Sequence, residues 1–311
     1  MKIFKRIVLA LLVLIVVSFI GGYFYFDNKF TPAENYLTVQ GVSKKVPLKW
    51  VSSDSNPNVA MLLPVKLEGV SQIFYMQLDF GSPTTLMYSN ALKSINEKFP
   101  SALDLKDDSQ IASVQFGLGK MTISSDKFEV LHYGNEVKWD QEAINVIGTL
   151  GTDLLEKRRI TLNFKEDYCL FDVNGNQNGF TAFEFEKRRL LFPAKIANEN
   201  LKLLYDSGTS GYEFITDQNE WEKYRVKDGK TKSEKANSVG NTLTVISAPA
   251  QETIEIGSKS LSLSEVTYIE GTSAVQNILM RFSGMQGMIG NKLFLNQTLI
   301  IDCKTEKFKI E

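Results

Sequence analysis

Twice in this chain an apolar, strand-like run ends on a single carboxylate and a tight glycine turn. The first copy is Phe74-Tyr75-Met76-Gln77-Leu78-Asp79-Phe80-Gly81-Ser82 and the second is Leu201-Lys202-Leu203-Leu204-Tyr205-Asp206-Ser207-Gly208-Thr209-Ser210. The two aspartates lie 127 residues apart in a chain of 311. The likeness extends beyond the turns. Leu62-Leu63-Pro64-Val65-Lys66-Leu67 precedes the first copy and Leu191-Phe192-Pro193-Ala194-Lys195-Ile196 the second, in a hairpin two residues shorter. Downstream, Val146 to Leu155 matches Met285 to Phe294, and the frame holds at an offset of 139 through Ile160–Lys165 and Leu299–Lys304. Between these landmarks lie short β-branched and aromatic runs separated by Gly, Asn and Asp turns. A repeat this long predicts an all-β fold of two lobes related by an internal pseudo-two-fold, dividing near Asn174–Gly179. Short helices are expected at Ala91–Lys98, Asp153–Arg158 and Asp217–Tyr224.

Ahead of the repeat, Ile7 to Phe26 is apolar apart from Ser18, Gly21 and Gly22, and Lys2, Lys5 and Arg6 precede it. A helix of that length spans a bilayer, and the leading positive charges hold its start inside. A cleaved signal peptide is the competing reading. No small-x-small cleavage site precedes Tyr23-Phe24-Tyr25-Phe26, so the expectation for residues 1–26 is one retained transmembrane helix. The body would then stand outside the cytoplasm, at the cell membrane. The polar stretch from residue 27 to residue 57 reads as a stalk leading into a first strand near Trp50. The N-terminal lobe is expected at 58–176 and the C-terminal lobe at 177–311.

Composition removes several classes of function. A net charge of −1 gives no basic footprint for nucleic acid. The single histidine, His132, rules out histidine-rich metal sites and would have to serve alone in any Ser-His or Cys-His system. It is expected as a surface or strand residue without a chemical role, and neither a metal nor an organic cofactor is expected. Cys169 and Cys303 permit a disulfide that the sequence does not assign; both read as small core residues. Glu156-Lys157-Arg158-Arg159 and Glu186-Lys187-Arg188-Arg189 read as solvated faces.

Two similar lobes place equivalent residues face to face across their axis. If the axis passes the glycine turns, Asp79 and Asp206 become a carboxylate pair on the floor of an interlobe cleft. Carboxyls about 3 Å apart cannot both ionise and share a proton. One can then act as base on a water while the other donates to the attacked carbonyl. Gly81 and Gly208 allow each turn to fold back beneath its own carboxylate. The hydroxyls of Ser82 and Thr209 are expected to hold the carboxylate planes. The plainer alternative is that each aspartate only caps its own turn.

With both turns inside one duplicated frame, the chain resembles the pepsin-like, two-lobed aspartic peptidases. Their pattern is apolar-apolar-Asp-Thr/Ser-Gly-Ser/Thr once per lobe, followed by an apolar-apolar-Gly segment, here Thr149-Leu150-Gly151 and Met288-Ile289-Gly290. Val146–Phe164 is also similar to part of the single-lobed retroviral proteases. The resemblance covers residues 58 to 311. It implies a monomeric endopeptidase acting on a peptide or protein substrate through Asp79, Asp206 and a water. Gly81, Ser82, Ser207, Gly208 and Thr209 would support the pair. It also implies a substrate-covering flap at Ser113–Thr122, carrying Phe116 and Gly117. Phe80 departs from the family, whose Thr at that position gives a hydroxyl bonding across the axis; Ser207 keeps one in the second lobe. Phe116 stands where the flap usually has Tyr, and Leu86 or Met87 stands at the place of its Trp partner. These departures support an alternative, a pseudoenzyme of the same fold that binds a peptide or another polymer in the cleft. A purely structural envelope protein is the third reading.

Overall fold

The computed structural model describes Asn28 and residues 31–54, 56–106, 110–140, 142–238, 241–271 and 285–311. The chain divides into two units, Met1–Glu34 and Asn35–Glu311. In the first, the backbone N–H of Thr31 donates to the carbonyl of Asn28 (3.3 Å). The apolar segment Ile7–Phe26 lies outside the described residues. Among the described residues no helix is long and apolar enough to cross a membrane.

In the larger unit, period-two alternation sets which faces are buried. Along Ile73–Leu78, Phe74, Met76 and Leu78 are fully buried while Ile73 is exposed. This strand pairs antiparallel with Ala60–Leu67 and parallel with Val146–Leu150, Leu78 facing Leu150. Val146–Leu150 pairs antiparallel with Leu86–Tyr88, which runs parallel to the end of Met121–Leu131. Met121–Leu131 pairs with Ile111–Leu118, and that strand returns to the start through Phe116 opposite Leu67. Six strands therefore close into a barrel, which leaves few free edges.

The second lobe repeats the circuit. Arg189–Ile196 pairs with Glu199–Tyr205, which runs parallel to Gly287–Ile289. Gly287–Ile289 pairs antiparallel with Phe214–Thr216, which runs parallel to Lys259–Glu270. Lys259–Glu270 pairs with Asn241–Ile256, which returns to the first strand through Ile254 opposite Ile196. A six-stranded sheet joins the barrels through Arg159–Asn163 and Thr298–Asp302, paired antiparallel with Thr161 opposite Ile300. Thr161 and Ile300 are each other's counterparts in the duplicated frame, so the axis relating the lobes passes through this pair.

Helices form at Ser89–Lys98 and Gln218–Tyr224, each following the short strand of its lobe. Asp217 caps the second, its carboxylate accepting from the N–H groups of Asn219 and Glu220. The third expected helix shrinks to a 3-10 turn, Thr152–Leu155: Glu156 leaves helical geometry (ψ 124°), Lys157 turns left-handed (φ 60°), and the strand Arg159–Asn163 of the joining sheet follows.

The stalk expected over residues 27 to 57 is corrected by the structure. From Asn35 onward this stretch is part of the body. Thr38–Gln40 pairs with Met121–Leu131, Val46–Pro47 with Tyr168–Asp172, and Lys49–Val51 with Ala60–Leu67. Asn35 Nδ2 donates to the carbonyl of Asp153 (2.8 Å), and Tyr36 Oη to the carbonyl of Thr85 (2.8 Å). Cys169 and Cys303 are free and buried, and burial pushes both thiols up. His132 is exposed.

Candidate active site

The two glycine turns are built alike. Each aspartate follows a central strand and is fixed by its own N–H, Asp79 to the carbonyl of Leu150 and Asp206 to that of Ile289, both at 3.0 Å. The carbonyl of each aspartate accepts from the residue three positions on, Ser82 or Thr209, both at 3.2 Å. Each carboxylate accepts from the N–H two residues on, Gly81 at 2.9 Å and Gly208 at 2.8 Å. The segments after Leu150 and Ile289 brace the turns from behind: Thr152 N donates to Ser82 O (2.9 Å) and Lys292 N to Ser210 O (3.0 Å).

The turns meet across the axis. A Cβ on Gly81 would stand 2.6 Å from Asp206 Oδ1, and one on Gly208 would stand 2.4 Å from Asp79 Oδ1. Both glycines are therefore demanded by the opposite lobe's carboxyl, not by the turn's own, which refines the sequence expectation. Each carboxyl acts on the other's titration, Asp206 holding Asp79 down and Asp79 pushing Asp206 up, which suits a pair that shares one proton. Burial pushes both above the usual carboxylate range, and the charge on Asp79 raises Asp206 further. N–H groups of Gly81, Ser82 and Gly208 oppose the rise at Asp79, and those of Gly208 and Thr209 at Asp206. Both aspartates are half-buried and Gly81 is exposed. The geometry suits a pair with one proton and one negative charge, able to give and take a proton at a molecule seated over it.

Support for the two turns differs. Ser207 Oγ donates to Leu78 O and accepts from Phe80 N, each at 2.9 Å, a bond across the axis from the second lobe. Phe80 offers no hydroxyl in return. Its ring, 1% exposed, lies edge-on to Tyr205 with centroids 5.6 Å apart. Tyr205 stacks on Phe192 (5.7 Å, 17°), and Phe192 on Phe308 (4.3 Å, 6°). Behind the second turn, Tyr205 Oη donates to Asn291 Oδ1 (2.6 Å) and Asn291 Nδ2 to Ser210 Oγ (2.8 Å). Behind the first, the buried carboxylate of Asp153 accepts from Thr85 N (2.7 Å) and Thr85 Oγ1 (2.6 Å). Gly151 N in turn donates to Thr85 Oγ1 (3.0 Å).

Two expectations fail here. Ser82 Oγ donates to Thr84 O (2.7 Å) and Thr209 Oγ1 to Asp206 O (2.9 Å), so neither hydroxyl holds a carboxylate. Backbone carbonyls two or three residues away win that local competition. The Phe116 hairpin is formed, but it is not placed as a flap. Phe116 is 1% exposed and packs against Phe128 in the lobe core, opposite Leu67. The hairpin tip, Gly119 at φ +61°, approaches Val46 and Ser43 of the entering chain, and Gly117 has only ordinary neighbours. Ile111–Leu118 also forms a second hairpin with Leu103–Lys106, whose tip at 107–109 lies outside the described residues.

Thr85, Asp153, Tyr205 and Asn291 escaped the sequence reading. A signal did exist: a polar residue follows the apolar-apolar-Gly segment in both copies, Thr152 after Gly151 and Asn291 after Gly290.

No family model matches this chain, and no curated protein matches it. Among solved structures, the aspartic proteinase from Irpex lacteus is similar with a TM-score of 0.47 and 9% sequence identity. That alignment covers 88% of this chain and 97% of the other.

Proposed function

We propose that this chain is an aspartic endopeptidase tethered outside the cytoplasm by its N-terminal apolar segment. The observation that carries the reading is the placement of the carboxyl pair: Asp79 and Asp206 are brought together across the axis, each seated over the other lobe's glycine. A water over the pair loses a proton to the ionised carboxylate as its oxygen attacks a peptide carbonyl carbon. The protonated carboxyl gives its proton to the carbonyl oxygen, leaving a tetrahedral diol. Collapse of the diol breaks the C–N bond, the amine leaves with a proton, and the pair returns to its starting state. Both carboxyls come from one chain, so a single copy supplies the reacting groups.

The test is cleavage of a denatured protein by wild type, Asp79→Asn and Asp206→Asn. Either substitution should reduce turnover at least about 10³-fold, since the step needs one base and one acid. A statine-type peptide, whose hydroxyl mimics the attacked carbon, should bind wild type and protect it from heat. One observation favours a second reading. The Phe80 ring fills the place of a cross-axis hydroxyl, as a pseudoenzyme with a peptide-binding cleft would tolerate. Wild type that cleaves nothing between about pH 3 and 7, yet binds peptides equally with and without Asp79→Asn, would replace the peptidase with that pseudoenzyme.

A further inference from the structure

The two Glu-Lys-Arg-Arg stretches are not both solvated faces. They meet behind the first aspartate turn. Arg188 is 7% exposed, and its Nε donates to Glu156 Oε1 at 2.6 Å. Its Nη1 donates to the carbonyl of Pro83 (3.3 Å), in the loop that continues the Asp79 turn. Its own carbonyl accepts from Thr152 Oγ1 (2.6 Å), a hydroxyl also 3.2 Å from Ser82 O. The other oxygen of Glu156 accepts from Asn35 Nδ2 (2.9 Å). A second-lobe arginine thus reaches across to the first lobe's turn.

The backbone makes this placement costly. Glu186 pairs with Arg189, leaving Lys187 and Arg188 as a two-residue hairpin loop, at φ 51° and φ 60°. Such loops favour Asn and Gly, and a non-glycine residue there is strained. An arginine kept in that conformation with its side chain buried points to a use for the side chain.

The opposite crossing exists too. Asn56, just before the first-lobe strand Ala60–Leu67, donates from Nδ2 to the carbonyl of Gly211 (2.9 Å), beyond the Asp206 turn. A Cβ on Gly211 would stand 2.4 Å from that nitrogen. Arg188 sits just before Arg189–Ile196, the matching strand of the second lobe.

We infer that Arg188 and Asn56 are reciprocal positioning residues: the segment leading into each lobe clamps the opposite lobe's aspartate turn and so sets the geometry of the pair. This rests on the peptidase reading only for its catalytic consequence. The crossing itself can be tested without activity.

The experiment compares Arg188→Gly and Asn56→Ala in the full chain, by amide hydrogen exchange and by kinetics on a denatured protein. Glycine suits the left-handed backbone at 188, so that variant removes the side chain without straining the loop. Arg188→Gly should speed exchange at Ser82 and Thr152 about 10-fold and leave Thr209 and Lys292 unchanged; Asn56→Ala should do the reverse. In Arg188→Gly, kcat should fall about 10- to 100-fold, the cost of a misplaced reacting group, with KM nearly unchanged. Arg188→Lys should recover part of the loss. Should Arg188→Gly fail to fold, Glu156→Gln replaces it with the same expected pattern. Unchanged exchange at both turns, or loosening of each variant's own lobe, would overturn the inference. Wild type without cleavage defeats the proposed function alone, because the exchange pattern still decides the clamp.

Discussion

The two aspartate turns share a backbone and differ in nearly everything that holds them. The second is held from behind by amides and hydroxyls, Asn291 tying Tyr205 to Ser210, and it sends Ser207 across the axis to the first. The first is held by that borrowed hydroxyl together with Asp153 on Thr85, Arg188 on Pro83, and the ring of Phe80 against Tyr205. What the lobes keep in common is the aspartate, the glycine and the backbone bonds between them. The steric demand explains why. Each glycine faces the other lobe's carboxyl with no room for a Cβ, whereas a turn can be braced from behind in many ways.

That contrast can be broken most severely at the glycines. Gly81→Ala and Gly208→Ala should be equally damaging, because each methyl would collide with the opposite carboxyl. Proteolytic turnover should disappear in both, while an assay of folding by circular dichroism still shows β structure. A mild effect of one and not the other would mean that the pair is less symmetric than its geometry.

Next come the cross-axis contacts. Phe80→Thr removes a fully buried ring from the aromatic stack and should cost about 3–5 kcal/mol, the usual range for such truncations. Ser207→Ala loses one donated and one accepted hydrogen bond and strands buried backbone groups, at about 1–3 kcal/mol. Urea denaturation of both variants measures the difference. Equal losses would show that the ring is not the chief support of the first turn. The smallest effects belong to Ser82→Ala and Thr209→Ala, about 0.5–1.5 kcal/mol each. Their hydroxyls bind carbonyls, so the pH dependence of turnover should stay in place.

Much of this architecture was legible in the sequence, and the frame shows why. Apolar alternation marks Ile73–Leu78 and Glu199–Tyr205 as strands, and the fixed offset that aligns Ile160 with Leu299 returns as a register in which Thr161 faces Ile300. The facing of Asp79 and Asp206 follows from the same symmetry. The misreadings have physical causes. Asn35 and Tyr36 join the body through side-chain bonds to residues 118 and 49 positions away, and no local pattern records such bonds. A Gly-x-Gly hairpin tip looks the same whether it covers a cleft or, as at Gly119, packs against the chain's own first strands. Arg188 sits in a charged run that would ordinarily be solvated, and only its partner Glu156 and the enclosing fold bury it.

Central to the account is one proton shared by Asp79 and Asp206 across the axis. Titration of the ¹³C-labelled aspartate carboxyls in the full chain tests it most directly. One carboxyl of the pair should titrate well above the usual value of about 4, since burial and the neighbouring charge favour its protonated form. A group whose folded pKa is raised contributes stability at low pH and loses it as pH rises through the folded value. Asp206→Asn should therefore raise the melting temperature relative to wild type above that titration, and Asp79→Asn should lower the Asp206 titration only in part, because burial still holds it up. Two carboxyls titrating independently near 4, each indifferent to the other's replacement, would contradict the shared proton and the peptidase reading built on it.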